Sequence, residues 1–200
     1  FKGQSNLDGL ERPIVVIVCN FPAPVGDNPS LLSFENAVTL FHEFGHAMHG
    51  ILTNVTYGSM AGTSGPRDFI ELPSQLLEHW VSEPEVLKSF AVHYQTGESI
   101  PDELVEKLLK AAKFNQGFIN TEYLAASLLD MDWHTLTKSD ILSNSNDFEK
   151  KSLKKIGLID EIAPRYRSTY FAHIFSGGYS SGYYSYIHAA VLDSDAFEAF

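Results

Sequence analysis

The sequence predicts a mainly α-helical globular fold with a small β element near the N-terminus. Most of the 200 residues fall in segments whose apolar residues recur at helical spacing. Apolar residues make up 44% and charged residues 20%, which is typical of a chain that folds around one core. One continuous β-branched run, PIVVIVCNF over 13–21, stands apart and predicts a buried strand in which Cys19 is a packed thiol.

The charge balance excludes one broad class of function. The net charge is −11, whereas a general nucleic-acid surface needs a basic face that neutralises phosphates. The longest apolar runs are far shorter than the roughly 20 residues of a membrane span, and no signal peptide is visible. We therefore expect no nucleic-acid partner, no membrane insertion and a cytoplasmic location, with the periplasm as the alternative.

The predicted elements follow in order. The turn-rich stretch 22–30 ends the strand, and Ser33 is the expected N-cap of a first helix carrying FENAVTLFHEFGHAMHGIL. A loop of small residues over 58–66 leads to a second helix within 67–81, where Pro73 is tolerable only in the first turn. Further helical segments are expected at 84–94, 101–114, 119–136 and 147–156.

The last quarter of the chain changes character. Residues 168–175 could be extended, and the Gly/Ser/Tyr segment 176–186 reads as a loop that leads into a final helix. No repeat or linker divides the chain, so we expect residues 1–200 to form a single catalytic region. Because the chain opens without methionine and stops inside an apparently helical segment, it is expected to be a piece of a longer protein.

The segment TLFHEFGHAMHG carries the strongest chemical signal. His42 and His46 are four residues apart, so a helix places both imidazoles on one face, as two ligands of one zinc ion require. Glu43 lies next to the first histidine, where it can reach a metal-bound water without binding the metal itself. This is the H-E-x-x-H arrangement of zinc peptidases.

A catalytic zinc ion needs a third protein ligand and one open position. The extended motif with glycine at 49 and histidine at 52 is excluded, because the chain has His49 and Leu52. A carboxylate from a following helix is the alternative, and Glu71 is well placed if that helix runs back beside the first. Glu71 can equally be the last residue of a capping box that begins at Asp68, and the residues alone leave both readings open.

Four motifs in order resemble the catalytic region of the thimet oligopeptidase family, and most strongly its bacterial peptidyl-dipeptidases. They are HEFGHAMHG, GTSGPRDFIELPSQ, LLDMDWH and YFAHIFSGGYSSGYYSY, and they extend over nearly the whole chain. The resemblance implies a mostly helical, zincin-like region with one zinc ion held by His42, His46 and Glu71. Members of that family are longer and enclose the site in a channel between two halves. The resemblance therefore implies that this chain is one part of such a protein.

The resemblance also gives a role to the late tyrosine-rich segment. It implies that His173, Tyr179 and Tyr186 contact the substrate and the developing oxyanion, since phenol and imidazole donors can stabilise that charge. The sequence departs from the family pattern at Ser176, where glycine is expected, and at His188, where an aromatic residue is usual.

The expected function is zinc-dependent hydrolysis of short peptides, with release of dipeptides from the C-terminus and Glu43 as the general base. Internal cleavage of short peptides is the first alternative. A zinc-dependent peptide-binding module without turnover is an alternative of another class, although it would have no need of Glu43. A purely structural zinc site would need a fourth protein ligand, and none is evident.

Overall fold

The computed structural model describes residues 2–140 and 144–200 of the chain. Most of the ordered backbone in these two ranges is helical, as the sequence predicts. The α-helices are α1 (Phe34–Leu52), α2 (Leu72–Ser82), α3 (Pro84–Phe90), α4 (Asp102–Ala111), α5 (Gln116–His134), α6 (Ser145–Lys155), α7 (Ala172–Phe175) and α8 (Ser185–Phe197).

The chain divides into two compact units. As far as the structure describes them, the first comprises residues 1–112 together with 189–200, and the second comprises residues 113–188. In the first unit, the C-terminal part of α8 is attached to α2: His79 Nε2 lies 2.7 Å from Asp193 Oδ1, and the Phe197 ring stacks on the imidazole. Among the described residues, no helix is both long enough and apolar enough to cross a membrane.

Helix α1 begins where the sequence predicts. The Ser33 hydroxyl accepts a hydrogen bond from the backbone N–H of Asn36, and the Asn36 side chain accepts one from the Ser33 N–H, so two otherwise unpaired donors are satisfied. Gly45 lies at the crossing of α1 with α2. A Cβ atom there would stand 2.4 Å from the Pro73 carbonyl oxygen and 2.5 Å from Ser74 Cα, so only glycine allows this close approach.

Helix α2 begins later than predicted. Its first residue is Leu72, with Glu71 in the N-cap position and Pro73 in the first turn, where a missing N–H costs nothing. A capping box would need Asp68 as the N-cap of α2. Because the N-cap is Glu71, three residues later, the capping-box reading of Asp68 and Glu71 is wrong.

The second unit has an aromatic core. Ala126 of α5 packs with Phe171, Ile174 and Tyr183, and all four are buried. The rings of Phe171 and Tyr183 meet edge to face at 4.9 Å, a favoured arrangement for aromatic pairs. This core supports the loop between α7 and α8, which contains most of the tyrosine-rich segment.

Two local predictions are wrong. The run 13–21 does not form a buried strand: Val16 and Val18 are 53% and 78% exposed, and Cys19 is only half-buried. In the described part of the N-terminal region, backbone pairing takes the form of isolated bridges, such as the antiparallel one between Lys2 and Ile14. The segment 168–175 is not extended, because it forms a short 3₁₀ turn followed by α7.

Candidate metal centre

His42 and His46 lie one turn apart on α1, with their ring planes at 88° and their centroids 4.9 Å apart. Glu71 approaches both from the start of α2. Its Oε2 atom lies 3.4 Å from His42 Nε2 and 3.3 Å from His46 Nε2. The three residues can each offer one ligand atom within 4.8 Å of the others, and among the described residues they form the group suited to a metal ion.

Glu71 is held in place by its own helix. It is 2% exposed, and the buried Ser74 hydroxyl lies 3.0 Å from Oε2 and 2.8 Å from the Glu71 carbonyl oxygen. Burying a carboxylate is costly unless donors or cations compensate for the lost water. The carboxylate is therefore directed toward the histidines in a fixed orientation.

Glu78 adds a second acidic contact. Its Oε1 atom lies 2.6 Å from His42 Nδ1. A carboxylate at this distance accepts a hydrogen bond from Nδ1–H, and in the neutral imidazole this leaves the Nε2 lone pair free to bind a metal ion. A carboxylate behind a histidine ligand is the usual way in which proteins fix the tautomer and the orientation of that ligand.

The acidic surroundings change the basicity of His42. Burial by itself lowers the pKa of this imidazole, but the hydrogen bond and charge of Glu78, with the charges of Glu71 and Glu43, outweigh burial and raise the pKa above the ordinary 6.5. His49, one turn beyond His46, shows the opposite behaviour. Burial and the nearby His46 lower its pKa, so the pKa shifts of these two α1 histidines have opposite signs.

The donor set fits zinc. Two imidazole nitrogens and one carboxylate oxygen are the ligands that a catalytic zinc site uses. In a tetrahedral site with ligand distances of roughly 2.0–2.1 Å, neighbouring ligand atoms are about 3.3–3.4 Å apart. The two nitrogen–oxygen separations given above have these values.

Glu43 lies at the edge of an open cleft. Together with His46 it lines a cavity of about 380 Å³, whose other walls include residues 13–16 and 61–64. The half-buried Glu43 carboxylate is thus beside a histidine of the site and next to a space that a small molecule can enter. The motif predicts a general base at this position.

Residues 1–200 match Peptidase family M3 over their whole length. This chain belongs to peptidase family M3. It is 44% identical to the dipeptidyl carboxypeptidase of Escherichia coli strain K12 and 45% identical to that of Salmonella typhimurium strain LT2, in each case over all of this chain. It is 38% identical to oligopeptidase A of Haemophilus influenzae over 98% of this chain. The chain spans 29% of the length of each of these relatives.

The other predicted site residues of this M3 chain lie in the second unit, where they form one aromatic cluster. Tyr179 and Tyr186 are stacked with centroids 5.3 Å apart and planes at 14°. His173 lies 6.2 Å from Tyr179 and 5.7 Å from the buried Tyr183, measured between ring centroids. The structure thus brings the three residues together with one another, within a unit different from that of His42, His46, Glu71 and Glu43.

Sequence reasoning missed the contact of Glu78 with His42 in this M3 chain. A signal was present, because Glu71 and Glu78 are seven residues apart, close to two full helical turns. Once Glu71 is placed facing α1, that spacing puts Glu78 on the same side of α2. The contact between Ser74 and Glu71 had a similar signal in the three-residue spacing.

Proposed function

We propose that this chain carries the zinc centre of a peptidase that cleaves short peptides and releases dipeptides from their C-termini. The observation that carries the proposal is the convergence of His42, His46 and Glu71 beside a cleft that Glu43 lines. Membership in peptidase family M3 supports the reaction class. The residues 1–200 are proposed to act as one catalytic region within a longer chain, in keeping with the 29% of the relatives' length that they span.

His42, His46 and Glu71 would hold the metal, with Glu78 fixing the tautomer of His42. Zinc, when bound, supplies Lewis-acid polarisation of a carbonyl group and a lowered pKa for a water molecule. Glu43 takes up the proton of the attacking water on its carboxylate, and later delivers it to the nitrogen of the departing amine. Proton transfer by a positioned carboxylate of this kind contributes roughly 10²–10⁴-fold to the rate.

Tyr186 and Tyr179 are proposed to donate phenol hydrogen bonds to the oxygen on which negative charge develops, and His173 to contact the substrate. Hydrogen-bond donors that are already oriented toward developing charge act mainly on the transition state. The stacking of the two tyrosine rings supports a joint role, because it places the two phenol side chains side by side.

The relatives favour dipeptide release over internal cleavage. The two dipeptidyl carboxypeptidases are 44% and 45% identical to this chain, and oligopeptidase A of Haemophilus influenzae is 38% identical. Internal cleavage of short peptides is therefore the second candidate. A binding module without turnover is the less favoured alternative, because such a module would have no need of a carboxylate such as Glu43 at the edge of the cleft.

The test uses the full-length, zinc-loaded protein and one short peptide with either a free or an amidated C-terminus. Dipeptide release is expected from the free form, with much slower cleavage of the amidated form. Equal internal cleavage of both forms would favour the second candidate. Zinc binding without cleavage of either form would contradict hydrolysis altogether.

A further inference from the structure

Asp130 of α5 is a charged residue to which the proposed mechanism assigns no role. It is fully buried at 0% exposure, among the core residues of the second unit. Its Oδ1 atom accepts a hydrogen bond from the backbone N–H of Ser181 at 2.9 Å, and its Oδ2 atom accepts one from the N–H of Tyr183 at 2.9 Å. His134 Nδ1 lies 2.8 Å from Oδ1. The same Nδ1 atom lies 2.9 Å from the Asp130 carbonyl oxygen, so the two backbone N–H groups are the donors committed to the buried carboxylate.

The two backbone donors belong to the loop between α7 and α8. They lie between Tyr179 and Tyr186, so Asp130 fixes the loop at two points between the proposed oxyanion donors. The Ser181 backbone has φ of 54°, in the left-handed region that side chains other than glycine rarely adopt. A conformation of this kind persists only when its surroundings impose it, and the bond from Ser181 to Asp130 is one of the contacts that do so.

We propose that Asp130 is a positioning residue of the reaction: it holds the loop so that Tyr179 and Tyr186 present their phenol groups as a stacked pair. This inference rests on the proposed function, since it concerns the tyrosines assigned there. Asp130 acts through the backbone of Ser181 and Tyr183. It stabilises the loop in the free enzyme, so that the phenol donors need no reorganisation during the reaction.

The test is a double-mutant cycle, measured by steady-state kinetics in the full-length, zinc-loaded protein. Asp130→Asn keeps the size of the side chain but places an amide NH₂ against a backbone N–H, so one of the two loop contacts becomes repulsive. We expect kcat to fall by about 10–100-fold with a smaller change in KM, because a displacement near 1 Å can cost about 10²-fold. In a Tyr179→Phe/Tyr186→Phe background the same substitution should have no effect beyond the roughly twofold scatter of independent sites.

Asp132→Asn is the matched control. Asp132 lies two residues along the same helix, its side chain is 23% exposed, and it contacts Ser152 and Lys155 rather than the loop. The control should keep kcat within about twofold of the parent. A loss as large as that of Asp130→Asn would show a general effect on α5 and overturn the inference.

Two kinetic outcomes would overturn the positioning role alone: a parental kcat in Asp130→Asn, or an equal loss in the parent and phenylalanine backgrounds. A phenylalanine double variant with full activity would instead remove the role of the tyrosines, and with it this inference, while leaving peptide hydrolysis intact. If Asp130→Asn does not fold, His134→Ala leaves both backbone donors in place and removes the imidazole that lies beside the carboxylate and the carbonyl oxygen of Asp130. It should give a smaller loss of kcat that is again absent in the phenylalanine background, and an unchanged kcat would overturn the role.

Discussion

Glu71 and Asp130 are both buried carboxylates, one in each unit, and the groups around them give them different chemistry. Glu71 faces two imidazole nitrogens at 3.3 and 3.4 Å, and these atoms can bind a metal as readily as a proton. Asp130 accepts from two backbone N–H groups, which cannot give up their protons, and faces a single imidazole, that of His134. Burial of an acid therefore does not by itself identify a metal site.

A third buried carboxylate supports this distinction. Glu149 of α6 is 1% exposed and accepts from the backbone N–H and the hydroxyl of Ser168 at 2.7 and 3.0 Å. Its other oxygen lies 2.6 Å from Arg167 Nε. Fixed donors compensate Glu149 as they do Asp130, so the comparison predicts a structural role for this residue.

Exchanging each acid for its amide gives the largest contrast. Glu71→Gln in the full-length protein should lose bound zinc and all measurable cleavage, with a fall in metal affinity greater than the roughly 10–100-fold that loss of an outer carboxylate produces. Asp130→Asn should keep a full equivalent of zinc. Metal analysis after dialysis checks both, and loss of zinc from Asp130→Asn would break the comparison.

Glu43→Gln should separate metal binding from proton transfer. The variant should keep zinc, because Glu43 is not among the grouped ligand residues, and should lose roughly 10²–10⁴-fold in kcat, the scale of general acid–base catalysis. The measurement is steady-state cleavage of a short peptide alongside metal analysis. Near-parental turnover would exclude Glu43 as the base.

Glu78→Gln should show a weaker effect at the same centre. The amide can still accept from His42 Nδ1 but no longer carries a charge, so we expect zinc affinity or activity to fall by about 10–100-fold. Competition with a chelator measures the affinity directly. Glu85, the acid in the first turn of α3, offers a control, because Glu85→Gln removes one charge from an exposed side chain that is not among the grouped ligand residues and should leave the affinity unchanged.

The raised pKa of His42 gives this centre a characteristic pH dependence. Metal binds the neutral imidazole, so the apparent zinc affinity should fall as pH drops through the raised pKa. In the metal-free protein, the stability that protonated His42 contributes is present below pH 6.5 and is lost as pH rises through that raised pKa. In Glu78→Gln both midpoints should move to lower pH. Unchanged midpoints would show that Glu78 does not control the titration.

The sequence predicted the helices and the histidine pair because both depend on local spacing. The cap at Ser33 and the four-residue interval between His42 and His46 are readable from the chain itself. Glu71 needed the family resemblance, since the residues alone also allowed a capping box. The contacts of Glu78 and Asp130 were missed because they join residues that are 36 and more than 50 positions apart.

The failed strand prediction has a related cause. The run 13–21 has the β-branched composition of a strand, but a strand also needs a partner with which to exchange backbone hydrogen bonds. Here Ile14 forms an isolated bridge with Lys2, and the neighbouring valines remain exposed. The composition of a segment indicates whether it can adopt a β-strand, whereas the formation of that strand also depends on another segment with which its backbone can pair.

The smallest expected effects come from two helical glycines, and they test whether the metal centre depends on close helix packing. Gly45→Ala should destabilise the protein by about 1–3 kcal/mol, because the new methyl group meets the backbone of Pro73 and Ser74. It should also weaken zinc binding, since α2 must shift and carries Glu71 with it.

Gly117→Ala on α5 is the control. The new methyl group meets no atom within 4 Å, so this variant should stabilise the protein by about 0.4–1 kcal/mol with no change in zinc affinity. Denaturant unfolding and chelator competition on both variants measure the two effects. Equal stability and equal zinc affinity in the two variants would mean that the approach of α1 to α2 does not control the geometry of the ligands.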